Sequence, residues 1–191
     1  MSDHPKAAGK SSFDLIEQGL FLDTIKTLGL SRVLDLGCGA GNYTVALAQL
    51  LGPDSQIYGV DLWEEGIRQL QARAQEAGLR NLEALVGDAG QHIPLEDQAV
   101  DLVFLGTVFH DFVEAGFHPT TLAEIKRVLT PAGCLAAVEF KKIDGPPGPP
   151  KAIRLSPPEL AEMLGSHGFS QFEHLDLGPF TYLSIFRLAT A

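Results

Sequence analysis

Five short apolar runs alternate with helical patterns through this chain, and that alternation restricts the fold more than any other feature. The runs are Arg32–Leu36, Gln56–Val60, Leu82–Val86, Val100–Leu105 and Gly133–Phe140; apolar residues at helical spacing fill Tyr43–Leu51, Glu64–Ala77 and Thr120–Leu129. Strands separated by helices of this length predict βαβ units and a mostly parallel sheet. The runs are nearly all apolar, as strands covered on both faces are. Gly78 suits a left-handed C-cap, and Pro131-Ala132-Gly133 is expected to be the turn that stops the third helix. Downstream, Ser156-Pro157-Pro158-Glu159 reads as a capping box opening a helix that ends near His167, with Gly168 as its cap. Phe169–Asp176 and Thr181–Leu188 flank Gly178-Pro179 too closely for a crossover helix, so they are expected to pair antiparallel.

Ahead of these elements, Met1–Ser12 is small and polar and is expected to be mobile. Phe13–Leu28 carries Leu15, Ile16, Leu20, Phe21, Ile25 and Leu28 near helical spacing, predicting a helix within residues 13–30. At 191 residues, 45% hydrophobic and 20% charged, residues 13–191 suit one globular domain. Lys plus Arg number 14 against 24 Asp plus Glu, a net charge of −10 that repels nucleic-acid phosphates and anionic lipid. Cys38 and Cys134 make no disulfide framework, the N-terminus has no apolar signal segment, and no apolar run is long enough for a membrane helix. These features together predict a cytoplasmic protein, and nothing in them excludes a homodimer.

The stretch from Arg32 to Thr44 reads RVLDLGCGAGNYT. A strand that ends in glycines leading into a helix places backbone N–H groups at its carboxyl end, where open α/β sheets hold ligands. The dinucleotide fingerprint needs G-x-G-x-x-G, whereas Gly37, Gly39 and Gly41 follow G-x-G-x-G, with Asn42 in the place of the last glycine. Asp35, two residues earlier, opposes a pyrophosphate and favours a cationic group. No Walker lysine is present. The loop therefore predicts a ligand not held by phosphates.

Asp35–Gly41 resembles motif I of the class I S-adenosylmethionine-dependent methyltransferases. Tyr58-Gly59-Val60-Asp61 is similar to their second strand, Val86-Gly87-Asp88-Ala89 to their adenine-binding segment, Asp101–Thr107 to strand four, and Arg127–Gly133 to the turn before strand five. The resemblance runs in order from about Leu30 to Leu188 and lies nearest the small-molecule branch that includes the ubiquinone- and menaquinone-biosynthesis enzymes. It implies a three-layer α/β sandwich, Rossmann-like, with a seven-stranded mostly parallel sheet and the last strand antiparallel. It further implies S-adenosylmethionine as cofactor, bound by Asp35, Gly37, Gly39, Gly41, Asp61, Leu62, Asp88, Ala89 and Gly106. The chemistry agrees: the cofactor's amino group, ribose hydroxyls and adenine amine are donors that three carboxylates can accept. Trp63 reads equally as an adenine wall or as core.

After strand four, His110 is the histidine best placed for a general base, with an ordinary pKa of about 6.5; a local turn cap is its other reading. His118, before Pro119, reads as a helix start, and no ligand spacing predicts a metal. Methyl transfer itself asks mainly for alignment, so a base matters only where the nucleophile carries a proton. Lys141, Lys142, Lys151 and Arg154 flank the proline-rich segment DGPPGPP at 144–150; Lys141 and Arg154 are expected to face an anionic or carbonyl-bearing substrate. Glu139 either faces the pocket or pairs with Lys141. The N-terminal helix is expected either to lie over the pocket as a lid or to cover a sheet edge. No separate recognition domain is visible, which predicts a small-molecule acceptor. Two rival readings are a nucleotide-dependent oxidoreductase and a non-catalytic S-adenosylmethionine-binding regulator.

Overall fold

The computed structural model describes residues 9–189; most of the stretch expected to be mobile lies outside them. Seven strands form one sheet: β1 (Arg32–Leu36), β2 (Gln56–Asp61), β3 (Leu82–Val86), β4 (Val100–Gly106), β5 (Leu129–Phe140), β6 (Phe169–Asp176) and β7 (Thr181–Leu188). Their order is β3-β2-β1-β4-β5-β7-β6. The first five pair in parallel, and β7 runs antiparallel to both β5 and β6. From β1 the chain builds outward to β3, then returns to β4 on the other side. The resulting switch point, between the carboxyl ends of β1 and β4, is where such sheets hold ligands.

Six helices connect the strands: α1 (Gln18–Thr27), α2 (Asn42–Leu51), α3 (Glu64–Glu76), α4 (Phe109–Glu114), α5 (His118–Val128) and α6 (Pro157–Ser166). Helix α3 shows the local logic. Glu64 and Glu65 occupy its first turn and Arg73 its last, while Ile67, Leu70 and Ala74 make the buried stripe. Glu159 opens α6, accepting from the backbone N–H (2.8 Å) and the hydroxyl (2.6 Å) of Ser156. Among the described residues no helix is long and apolar enough to cross a membrane.

Two apolar layers sandwich the sheet. One joins Leu34, Leu36, Phe109, Leu122, Ile125, Leu160 and Tyr182; the other joins Phe21, Ile25, Val33, Tyr43, Leu47, Phe104 and Ile185. In the second layer Phe21, Tyr43 and Phe104 stack with centroids 4.9–5.4 Å apart. Each such pair adds about 0.5–1.5 kcal/mol beyond area burial. The cluster also fixes Tyr43 beside Gly106, where an added Cβ would lie 3.0 Å from the tyrosine ring.

Two expectations are corrected and one element is added. The N-terminal helix is divided: a 3-10 turn at Phe13–Leu15, an extended Ile16 at ψ 160°, then α1, which packs on a sheet face and not over the pocket. Helix α4 was not foreseen. Strand β5 begins at Leu129, so Pro131-Ala132-Gly133 lies inside a strand; its register against β4 shifts between Val100 and Leu102, with Pro131 and Ala132 left exposed.

Candidate functional site

The parallel register brings the Gly37–Gly41 loop, Asp61, Asp88 and Gly106 to one edge of the sheet. Gly37 and Gly41 have positive φ, 78° and 80°, and side chains there would strike Val108 and Leu70. These two positions close the loop against its own fold. Gly39, at φ 55°, differs: an added Cβ would meet nothing within 4 Å, so the side of its Cα that a side chain would take is open. Asp61 holds this arrangement. Its Oδ2 accepts from Gly39 N at 2.7 Å and its Oδ1 from Trp63 N at 2.8 Å. Leu62, next along, is 58% exposed, and the buried Trp63 Nε1 has no hydrogen-bond partner.

Asp35 lies deeper, 1% exposed, with Oδ2 accepting from Thr44 Oγ1 at 2.6 Å. Burial pushes its carboxyl up to about 7; the Thr44 bond opposes the shift and the charge of Asp61 adds to it. A cationic ligand group near it favours the ionised form. Asp88 accepts from Gly90 N (2.8 Å) and Gln91 Nε2 (2.6 Å), closing the turn after β3, and the Ala89 carbonyl accepts from Thr121. Among the described residues no cluster of His, Cys, Asp and Glu is placed to hold a metal.

A strap crosses this edge. Gly9 lies beside Trp63; Ser12 Oγ bonds Tyr43 Oη at 2.8 Å and Thr107 Oγ1 at 2.9 Å; and Glu17 N donates to Leu177 O at 3.1 Å. Residues 9–17 thus span from the end of β2, past β4, to the hairpin joining β6 and β7. Thr107, which the strap meets at the end of β4, is a residue the sequence did not single out. Its φ is +56°, rare for a β-branched residue and a strain of order 1–3 kcal/mol. Its N–H donates to Val138 O (2.8 Å) and its hydroxyl to Gly106 O (2.7 Å). A threonine after a strand-ending glycine carries no sequence signal of that conformation.

His110, on α4, is 4% exposed. Its Nδ1 lies 2.7 Å from Glu139 Oε2, and Glu139 Oε1 accepts the His110 backbone N–H at 3.2 Å. Glu139 is fully buried and does not pair with Lys141. Burial opposes the imidazolium, but the Glu139 bond and the charges of Glu139, Asp111 and Glu114 outweigh it and raise the pKa above its ordinary value. His110 borders a cavity of about 260 Å³ that Val113, Ile153 and Leu155 also line. A second cavity, about 360 Å³, lies between Tyr58, Leu85 and Leu95 and touches none of the residues named above.

The two cations expected to face a substrate are both bonded within the protein, although Arg154 also borders the cavity of about 260 Å³. Arg154 is 3% exposed and directs its guanidinium at five carbonyls, those of Lys141, Ile143, Gly145, Pro147 and Pro149, at 2.8–3.2 Å. A loop rich in proline and glycine has few N–H groups to answer its own carbonyls, and one buried arginine serves instead. Lys141 is bound to Gly178 O (2.9 Å) and Asp176 (3.0 Å).

Comparison with known proteins follows the same lines. The model of the methyltransferase domain family matches residues 29–171. A demethylmenaquinone methyltransferase of Geobacillus stearothermophilus is 31% identical over 108 residues, 56% of this chain and 44% of that protein. One from Lactococcus lactis subsp. lactis is 34% identical over 111 residues, 58% of this chain and 42% of that protein. The chain thus spans less than half the length of these curated relatives. A solved S-adenosylmethionine-dependent methyltransferase from Aquifex aeolicus superposes with a TM-score of 0.81 at 29% identity, covering 95% of this chain and 94% of that one. An O-methyltransferase of neocarzinostatin biosynthesis, solved with S-adenosyl-L-homocysteine and 1,4-dihydroxy-2-naphthoic acid, has a TM-score of 0.77 at 18% identity, covering 92% and 54%. That last likeness concerns the fold alone.

Proposed function

This chain belongs to the methyltransferase-domain family, and from that premise we propose that it moves a methyl group from S-adenosylmethionine to a small-molecule acceptor beyond the carboxyl end of β4. The observation that carries the reading is the open space at the Gly39 Cα, set at the switch point of the sheet among three acids and beside an exposed Leu62. Such a site suits a ligand with a zwitterionic amino-acid end, two ribose hydroxyls and a flat base, and no phosphate.

The cofactor supplies an activated methyl group on a sulfonium; the chain supplies position and proton handling. Asp35 answers the amino group, Asp61 the ribose hydroxyls, and Asp88 the adenine amine, with Ala89 and Leu62 along the base. Backbone at Gly37, Gly39, Gly41 and Gly106 forms the floor, and residues 9–12 close over it as a lid. His110 acts as general base. The names of the curated relatives support a small acceptor, and two free cysteines support a cytoplasmic setting. The glycine spacing disfavours an oxidoreductase.

Thermal melting with S-adenosylmethionine, S-adenosyl-L-homocysteine and NADH tests the reading. Ligand at a hundredfold excess over its Kd adds about 2.7 kcal/mol. Only the two adenosyl sulfur ligands should raise Tm. Asp61→Asn, which keeps one acceptor for Gly39, should weaken both about tenfold or more; equal stabilisation by NADH would overturn the assignment.

A further inference from the structure

Glu139 and His110 make a dyad whose chemistry selects the acceptor. Glu139 is the penultimate residue of β5, and both its oxygens are committed to residue 110, one to the backbone and one to Nδ1. A carboxylate accepts only, so Nδ1 donates its proton to Glu139, and Nε2 is the atom that gains or loses the second proton, with Asp111 Oδ1 3.5 Å away to favour the imidazolium. The same carboxylate, fully buried, steadies the imidazolium that forms when Nε2 takes a proton. Methyl transfer to an amine lone pair or a thiolate does not need such a device. A neutral hydroxyl does, because its proton must leave as the new bond forms.

The cavity bounded by His110 defines the rest of the acceptor. Val113, Ile153 and Leu155 give it aliphatic walls, and the ion pair of Lys142 with Glu159, at 2.5 Å, stands on its border. One side of it is the stretch Ala152–Leu155, which includes Arg154 itself. At about 260 Å³ it lies below the span of pockets that take drug-sized ligands.

We propose that this cavity is the acceptor subsite, that it takes a compact phenol or enol, and that Glu139 is the positioning residue that makes His110 its base. The inference rests on the methyltransferase reading above. In the step, the acceptor oxygen forms a bond to the methyl carbon as the carbon–sulfur bond breaks. The electron pair of that bond stays on sulfur, leaving a neutral thioether, and the hydroxyl proton passes to His110 Nε2. The groups that set the proton affinity of His110 are Glu139 from β5, and Asp111 and Glu114 from its own helix; Lys142, Arg154 and Glu159 line the same cavity.

Two measurements test this separately from cofactor binding. In the first, 4-nitrophenol is added to the protein saturated with S-adenosyl-L-homocysteine, buffered about one unit below the phenol's own pKa. The phenolate absorption band should appear on binding, and it should be lost in His110→Phe and weakened in Glu139→Gln. In the second, turnover is followed on phenol and on 4-nitrophenol. His110→Phe should slow phenol methylation at least about a hundredfold and 4-nitrophenol methylation less than about tenfold, since the latter ionises unaided. Glu139→Gln should shift the acidic limb of the kcat/KM profile to lower pH without changing S-adenosyl-L-homocysteine affinity. Absence of the phenolate band, equal losses on the two phenols, or an unmoved profile would overturn the proposal while leaving the methyltransferase reading intact. Failure of S-adenosyl-L-homocysteine to bind would overturn both.

Discussion

Asp35 shows how a single residue sets function against stability. Its carboxyl is pushed up to about 7 from 3.8, chiefly by burial. Below about pH 4 both folded and unfolded chains hold the proton, and the residue carries no ionisation penalty. Between about pH 4 and 7 the unfolded chain ionises first, so stability falls as pH rises; above that the penalty is constant, about 4 kcal/mol at 1.36 kcal/mol per unit. Asp35→Asn should therefore raise Tm clearly at pH 8 and hardly at pH 4, while weakening S-adenosylmethionine binding. Melting curves at the two pH values check the first claim and calorimetry the second. The motif identified this acid, but its burial, its bond to Thr44 and its raised pKa are tertiary facts. Glu139 is the converse. In sequence it had two readings, and only the packing of α4 against β5 decides between them.

At the scale of elements, the carbonyls of the proline-rich segment converge on one side chain, Arg154, with the Lys151–Asp144 ion pair as a second tie. Arg154→Lys keeps the charge but loses the planar fork that reaches five carbonyls. It should cost about 2–3 kcal/mol and expose residues 144–150 to proteolysis, with S-adenosyl-L-homocysteine affinity unchanged. A protected loop at unchanged Tm would show that the arginine is dispensable. Strands β1, β3, β6 and β7 have the bounds that the sequence indicates: β1 and β7 are nearly all buried and leave a continuous apolar run, whereas β6, mostly exposed, is bounded by Gly168 and Gly178. Helix α4 spans six residues, too few for a period of 3.6 to register. Strand β5 hides its first turn behind Pro131 and Gly133, whose turn propensity the sheet absorbs in an irregular register. A cluster of lysines and an arginine read as a substrate face because charge is visible in sequence, whereas the carbonyls that consume it are not.

In the whole molecule, the strap at residues 9–17 ties the carboxyl ends of three strands that are far apart in sequence. Its hold on the site combines two hydroxyl contacts at Ser12, each of about 0.5–1.5 kcal/mol, with the edge-on packing of Phe13 against Tyr43. Ser12→Ala should speed S-adenosyl-L-homocysteine release up to about tenfold without altering the fold, which stopped-flow dissociation would measure. Polar residues before the first helix gave no hint of this course, since it depends on Tyr43 and Thr107 meeting at the switch point. The parallel pairing of the first five strands, by contrast, is legible in the alternation of runs, and the antiparallel end of the sheet in the hairpin at Gly178; the order in which the strands lie is not.

Trp63 has a practical consequence. It is the only tryptophan in the chain, and its indole lies beneath Gly9 with an unbonded Nε1. Its emission should lie toward the blue and should change in intensity and wavelength when the cofactor reaches Asp61, two residues away. The protein thereby carries its own optical gauge, and both equilibrium titrations and millisecond traces can be recorded on unlabelled material.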